Sequence, residues 1–141
     1  MKKRLFNLFL IILWAFLIFY LSNQNGSDST NLTENFIFKI FGINSYTNIL
    51  FIFIRKIAHF TEYLILGMLV YNFINSFNID NKIIISILLC SIYAATDEFH
   101  QIFIIGRECK LLDVLIDTFG SITGIIIIKI FSKVLLKKQK K

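Results

Sequence analysis

Four mainly apolar runs, none broken by proline, decide most of what this 141-residue chain can become. They lie at about Leu5 to Leu21, Ile57 to Phe77, Ile83 to Phe99 and Leu111 to Phe131, and roughly 17–25 such residues cross a hydrocarbon layer as a helix. With 56% hydrophobic residues and a mean hydropathy of +0.70, the composition excludes an ordinary water-soluble domain. The expected fold is all-α: a polytopic integral membrane helical bundle of about four transmembrane helices plus an interfacial or re-entrant segment, one domain over 1–141.

The first run, 5–21, follows Met1, Lys2, Lys3 and Arg4, a charged head that a secretory signal would also carry. Its length and the lack of an A-x-A-like site after it favour a retained anchor helix. Residues 22–54 then form an outer loop and interfacial helix. SNQNGSDSTNLTENF is polar and rich in turn formers, and its Asn31-Leu32-Thr33 glycosylation match is too short to carry weight. FIFKIFGINSYTNILFIFI is apolar but interrupted by Lys39, Gly42, Asn44 and Ser45. It reads as an interfacial helix near 32–41 and a lead-in to the second span, with a re-entrant fifth segment as the alternative. The core of the chain is 55–131, with a short turn at 78–81 joining an antiparallel pair and IIGRECK, 104–110, joining the last two spans. A basic tail, 132–141, closes it.

Orientation follows from basic residues. Lys2, Lys3, Arg4, Lys82, Lys129, Lys133, Lys137, Lys138, Lys140 and Lys141 share one side of a four-span arrangement, ten of the 15 basic residues, and of the 9 acids only Asp80 joins them. That side should be cytoplasmic, with both termini inside. The net charge of +6 therefore reports topology and contact with anionic lipid, and no nucleic acid is expected as a partner. Cys90 within a span and Cys109 in an outer loop are too far apart in depth to bridge.

The outer ends of the last three spans are unexpectedly polar. In IRKIAHFTEY, helical spacing puts Arg55, His59 and Glu62 on one face, with Lys56 and Tyr63 in a neighbouring row. Lys56 can snorkel to the headgroups; Glu62, about 10 Å deeper than Arg55, cannot be explained that way. In YAATDEFHQ, Asp97, His100 and Gln101 share a face that Tyr93 extends inward, while Glu98 points to a neighbouring helix or to water. In DVLIDTFGSITG, Asp113, Asp117, Gly120 and Gly124 form one stripe, carboxylates outside and small residues below. Gly120 and Gly124 make a GxxxG pair that admits another helix backbone. An ionised Asp at a span's centre costs roughly 2.5–3.5 kcal/mol, so these groups should meet Arg55, His59, His100 and Arg107 in a network shared by three helices. Its plainest role would be to lock the bundle.

RKIAHFTEYLILGML, YAATDEFHQIFIIGR and DVLIDTFGSITG, in this order and with YLSNQ after the first span, resemble the VanZ-like membrane proteins. The resemblance implies a small multi-pass protein of the bacterial cytoplasmic membrane, in a family named for a member that confers low-level resistance to the glycopeptide teicoplanin. It carries over Arg55, Lys56, His59, Glu62 and Tyr63, then Asp97, Glu98, His100, Gln101, Gly106 and Arg107, then Asp113, Asp117, Gly120 and Gly124. Ile105 stands where family members often have proline, which loosens the loop. Asp117 stands where an amide is frequent, which adds a charge.

Two functional classes lead. In one, the network is a ligand site at the outer leaflet for membrane lipids, a lipid-linked cell-wall precursor or a glycopeptide, with Arg55, Lys56, Tyr63, Tyr93, Gln101, Arg107, Asp113 and Asp117 as binding residues. In the other it is the site of a membrane-embedded hydrolase or transferase acting on a lipid-linked or phosphate-containing substrate. Its candidate catalytic residues are His59, Glu62, Asp97, Glu98 and His100, with Arg55 and Arg107 holding a phosphate and a divalent metal ion as candidate cofactor beside Asp97, Glu98 and Asp113. No HExxH, nucleophile elbow or P-loop is present. An ion carrier ranks last, because the inner halves of the spans offer almost no ionisable residue.

Overall fold

A computed structural model describes residues 2–25, 48–107 and 109–138, with isolated positions at 31, 35, 38 and 39. The described chain is all-helical: α1 (Lys2–Ser22), α2 (Asn48–Ile74), α3 (Lys82–Gln101) and α4 (Leu111–Lys138). All four are long and apolar enough to cross a membrane. The interfacial helix expected near 32–41 lies largely outside the described residues.

The bounds differ most for α2. It begins at Asn48 and ends at Ile74, several residues before the expected Ile57 to Phe77, so Arg55 and His59 sit two and three turns inside a helix rather than at its start. Asn75, Ser76 and Phe77 instead form successive turns back onto Tyr71, Phe73 and Ile74. Asn81, with a left-handed φ of 56°, is a residue type that tolerates that conformation, and it lets the chain re-enter as α3. That helix extends to Gln101, so its 20 residues span about 30 Å rather than 25 Å. Asp97 thus lies one turn inside its C-terminal end.

Side-chain distribution is inverted relative to a water-soluble bundle. Phe6, Phe9, Ile12 and Phe16 of α1 face outward, as do Ile84, Leu88 and Ile92 of α3 and Leu115, Phe119 and Ile126 of α4. Buried positions include Asn7, Ser22, Ser86, Asp97, Glu98, Gln101, Asp117 and Ser121. A helix bundle with an apolar exterior and polar groups inside is at home in lipid. The apolar core, Ile18, Tyr63, Leu66, Val70, Ile74, Cys90 and Ala94, fills the space between α1, α2 and α3.

Contacts fix the helix directions. Lys56 meets Asp113, and Gly120 and Gly124 lie against Phe60 and Leu64; the numbers rise together, so α2 and α4 run parallel. Arg4 donates to the Ser76 carbonyl at 2.6 Å, whereas Trp14 donates to the Glu62 carbonyl at 2.9 Å, so α1 and α2 are antiparallel. The α2–α4 contact is close because it is glycine-lined from both sides. A Cβ on Gly120 or Gly124 would collide with the backbone oxygens of Phe60 or Leu64, and one on Gly67 with that of Ser121.

Candidate ligand site

The parallel course of α2 and α4 brings two polar stripes together as rungs. Lys56 Nζ donates to Asp113 Oδ1 at 2.5 Å, and one turn deeper His59 Nδ1 stands 3.9 Å from Asp117 Oδ1. The glycine contact begins directly below and holds the two backbones in close approach. Arg55, one turn before His59, makes no hydrogen bond or ion pair among the described residues.

A turn over residues 102–110 folds across this face. Ile102, Phe103 and Ile104 donate back to Phe99, His100 and Gln101, and the Arg107 amide donates to Ile104 at 3.1 Å. Gly106 takes a φ of 77°, open to glycine at little cost, and so reverses the chain to place Arg107. The Arg107 guanidinium donates through Nε to the Gln24 carbonyl at 3.2 Å and through Nη2 to Leu21 at 3.4 Å. These carbonyls at the end of α1 suit a cation. Burial, and then repulsion from Arg55, pull Arg107 below the usual arginine range. Its side chain nonetheless stays charged at ordinary pH.

Together these elements enclose a cavity of about 480 Å³, walled by Arg55, Lys56 and His59 of α2, Gln101 of α3, Gly106, Arg107 and Lys110 of the turn, and Asp113 and Asp117 of α4, with Ile52 and Ile116 as its apolar sides. Four cations face two carboxylates there, one of them already paired with Lys56. The wall is electropositive.

The other expected site residues lie elsewhere. His100 faces α1: its Nε2 is 3.1 Å from Asn23 Oδ1 and its ring packs 4.8 Å from Phe19. Asp97 Oδ2 accepts from Ser22 Oγ at 2.7 Å, and the Tyr93 hydroxyl donates to the Ala15 carbonyl at 2.6 Å. Glu98, placed by periodicity toward a neighbour or water, is buried and accepts from Gln101 Nε2 at 3.1 Å and the Lys110 amide at 3.2 Å. Tyr63 is fully buried, 6.1 Å from the Tyr93 ring, and Glu62 lies outside the cavity wall. The expected network therefore has two parts, a cavity between α2, α4 and the turn and a seam joining α1 to α3, linked through Glu98, which accepts from Gln101 and Lys110 of the cavity wall. Among the described residues, no three His, Cys, Asp or Glu side chains gather as a metal-holding group.

Sequence reasoning overlooked Ser22, Asn23 and Gln24 as partners of Asp97, His100 and Arg107, although YLSNQ is an abrupt polar signal after an apolar run. It also missed Lys110 in the wall and Gly67 at the helix contact. Gly67 lacked a signal of its own, since a lone glycine shows its purpose only against a second helix.

A four-span helical membrane protein with a cationic cavity at one end of the bundle is the class that this architecture defines. The family model VanZ/LLP1 matches residues 6–132, nearly the whole chain, and the protein belongs to that family. No curated protein and no solved structure matches the chain.

Proposed function

We propose that the cavity holds the phosphate-bearing headgroup of a membrane lipid or lipid-linked cell-wall precursor at the outer face of a bacterial cytoplasmic membrane. Occupancy there would lower susceptibility to a glycopeptide such as teicoplanin by altering the lipids or precursors the antibiotic meets. The observation that carries the reading is the convergence of Arg55 and Arg107 on one cavity. Among the described residues neither guanidinium hydrogen-bonds or ion-pairs with a carboxylate, although Asp97, Glu98 and Glu62 act on Arg107 through space, and guanidinium groups bind phosphate oxygens in a fixed fork. The excess of basic residues at the opposite end of the bundle supports an outward-facing cavity.

Lipids that copurify with the protein test this directly. Mass spectrometry should find anionic phosphate lipids enriched over the bulk membrane with the wild type, and enrichment reduced about tenfold in Arg55→Ala. An identical lipid profile for the two proteins would remove the proposal. The enzymatic alternative is favoured by one observation, the imidazole beside a buried carboxylate at the cavity wall. It predicts release of phosphate or headgroup from the copurified lipid on incubation.

A further inference from the structure

The cavity wall is polar except for Ile52 of α2 and Ile116 of α4, and Ile116 shows where the cavity leads. On α4, Thr118 marks the edge turned toward α3, since its Oγ1 donates to Ser91 Oγ at 3.3 Å. Helical spacing sets Leu112, Ile116 and Phe119 along the opposite edge, at i, i+4 and i+7. On α2 the matching stripe is Phe53, Ile57 and Phe60, again at i, i+4 and i+7. The rings of Phe60 and Phe119 join the two stripes, with centroids 6.3 Å apart. Among the described residues no helix covers this edge: Phe53, Ile57, Leu112 and Phe119 are all exposed. The cavity thus reaches the outer surface of the α2–α4 pair on the side away from α3. The polar break in that apolar surface is the Lys56–Asp113 ion pair, whose side chains are 34% and 26% exposed.

Depth gives this opening a definite order. Asp113 stands in the first turn of α4. Phe119, six residues on, lies about 9 Å deeper, and Phe60 lies about 6 Å deeper than Lys56. Charge near the helix start, with exposed rings one to two turns below it, is the order of a membrane lipid: phosphate at the boundary and hydrocarbon beneath. A water-soluble phosphate has nothing to lay on the lower half.

We propose that the mouth of the cavity is lateral. A lipid enters from the surrounding leaflet between α2 and α4, its phosphate on Arg55 and Arg107 and one hydrocarbon chain over the sill that Phe60 and Phe119 form. This rests on the reading that the cavity takes a lipid headgroup, and adds the route and a second contact surface.

Brominated lipids quench tryptophan fluorescence at near contact, and test this on the full-length protein in phosphatidylcholine nanodiscs. Phe119→Trp and, independently, Ile57→Trp report on the proposed edge. Ile92→Trp, comparably exposed on α3 and at a similar depth, is the control. The native Trp14 is present in every variant, and its signal is subtracted through the wild type. With a minor fraction of chain-brominated phosphatidylglycerol, quenching of Phe119→Trp and Ile57→Trp should be about fivefold stronger than with the same fraction of brominated phosphatidylcholine. For Ile92→Trp the two lipids should quench about equally. Adding Arg55→Ala to Phe119→Trp should bring its ratio down to that of Ile92→Trp, with helical circular dichroism unchanged. Phosphatidylglycerol that copurifies but gives one ratio at all three positions overturns the lateral mouth and leaves the headgroup reading standing. A protein that neither retains it nor shows a preference overturns both. A ratio that survives Arg55→Ala shows anionic lipid gathered on the surface without the cavity, and overturns the link between them. Displacement by equimolar glycerophosphoglycerol, the same headgroup without chains, moves the ligand into solution and overturns the sill as part of the site.

Discussion

Arg55 and Lys56 are adjacent cations on one helix whose removal should have opposite consequences. Lys56 is about one-third exposed and ion-paired with Asp113, and such pairs contribute roughly 0.2–1 kcal/mol. Lys56→Ala should therefore lower stability by about that amount in a detergent melt. Arg55 has no hydrogen-bond or ion-pair partner to lose among the described residues, so Arg55→Ala should leave the melt unchanged while ligand retention falls. A fall in the melt for Arg55→Ala, with ligand retained, would make it structural instead. The sequence set them on neighbouring rows of α2 and marked Lys56 as able to snorkel, yet could not show which of the two is ion-paired. That distinction depends on Asp113 arriving opposite Lys56 from more than fifty positions away, and periodicity within one helix contains nothing about the register of another.

At the level of elements, the α2–α4 contact and the α1–α3 seam have different chemistry. The first depends on absent side chains. Gly→Ala inside a helix normally gains about 1 kcal/mol from propensity, but Gly124→Ala would drive its Cβ into the Leu64 carbonyl. Overpacking costs about 1–3 kcal/mol, so the variant should be destabilised, and Gly124→Val more so, in a thermal or denaturant melt. The second depends on a polar contact. Ser22 Oγ is the donor to Asp97 Oδ2, and hydrogen bonds to charged groups are worth roughly 1.5–3 kcal/mol. Ser22→Ala should lower the melt by an amount of that order, and Ser22→Thr should restore it. GxxxG announced the first contact in advance because small residues four apart have a geometric meaning on any helix. His100 was misread as facing the cations because Asp97, His100 and Gln101 do share a face; α1, which lies against that face, has no sequence feature that names its neighbour.

For the molecule as a whole, the four spans and the all-helical class were legible because lipid imposes them: every backbone group must be paired within its own segment, and every outward side chain must be apolar. The division of the polar residues into a cavity and a seam was not, since it arises from the packing of four helices at once. Orientation offers a check at this scale. Cys109 is exposed in the turn at the cavity end and Cys90 is buried in α3. A membrane-impermeant maleimide added to intact cells should label Cys109, with the label lost in Cys109→Ser and Cys90 silent until the protein is denatured. Labelling of Cys109 only after the cells are opened would reverse the proposed orientation.

The parallel pairing of α2 with α4 also sets an order of assembly. α2 and α3 are the less apolar of the four spans, and α2 enters the bilayer carrying Arg55, Lys56 and His59 before their counterparts Asp113 and Asp117 have been synthesised. Until α4 emerges, those groups can be accommodated only at the aqueous boundary or beside the insertion machinery. The emergence of α4 thus completes the pairing of charges that α2 carried into the membrane.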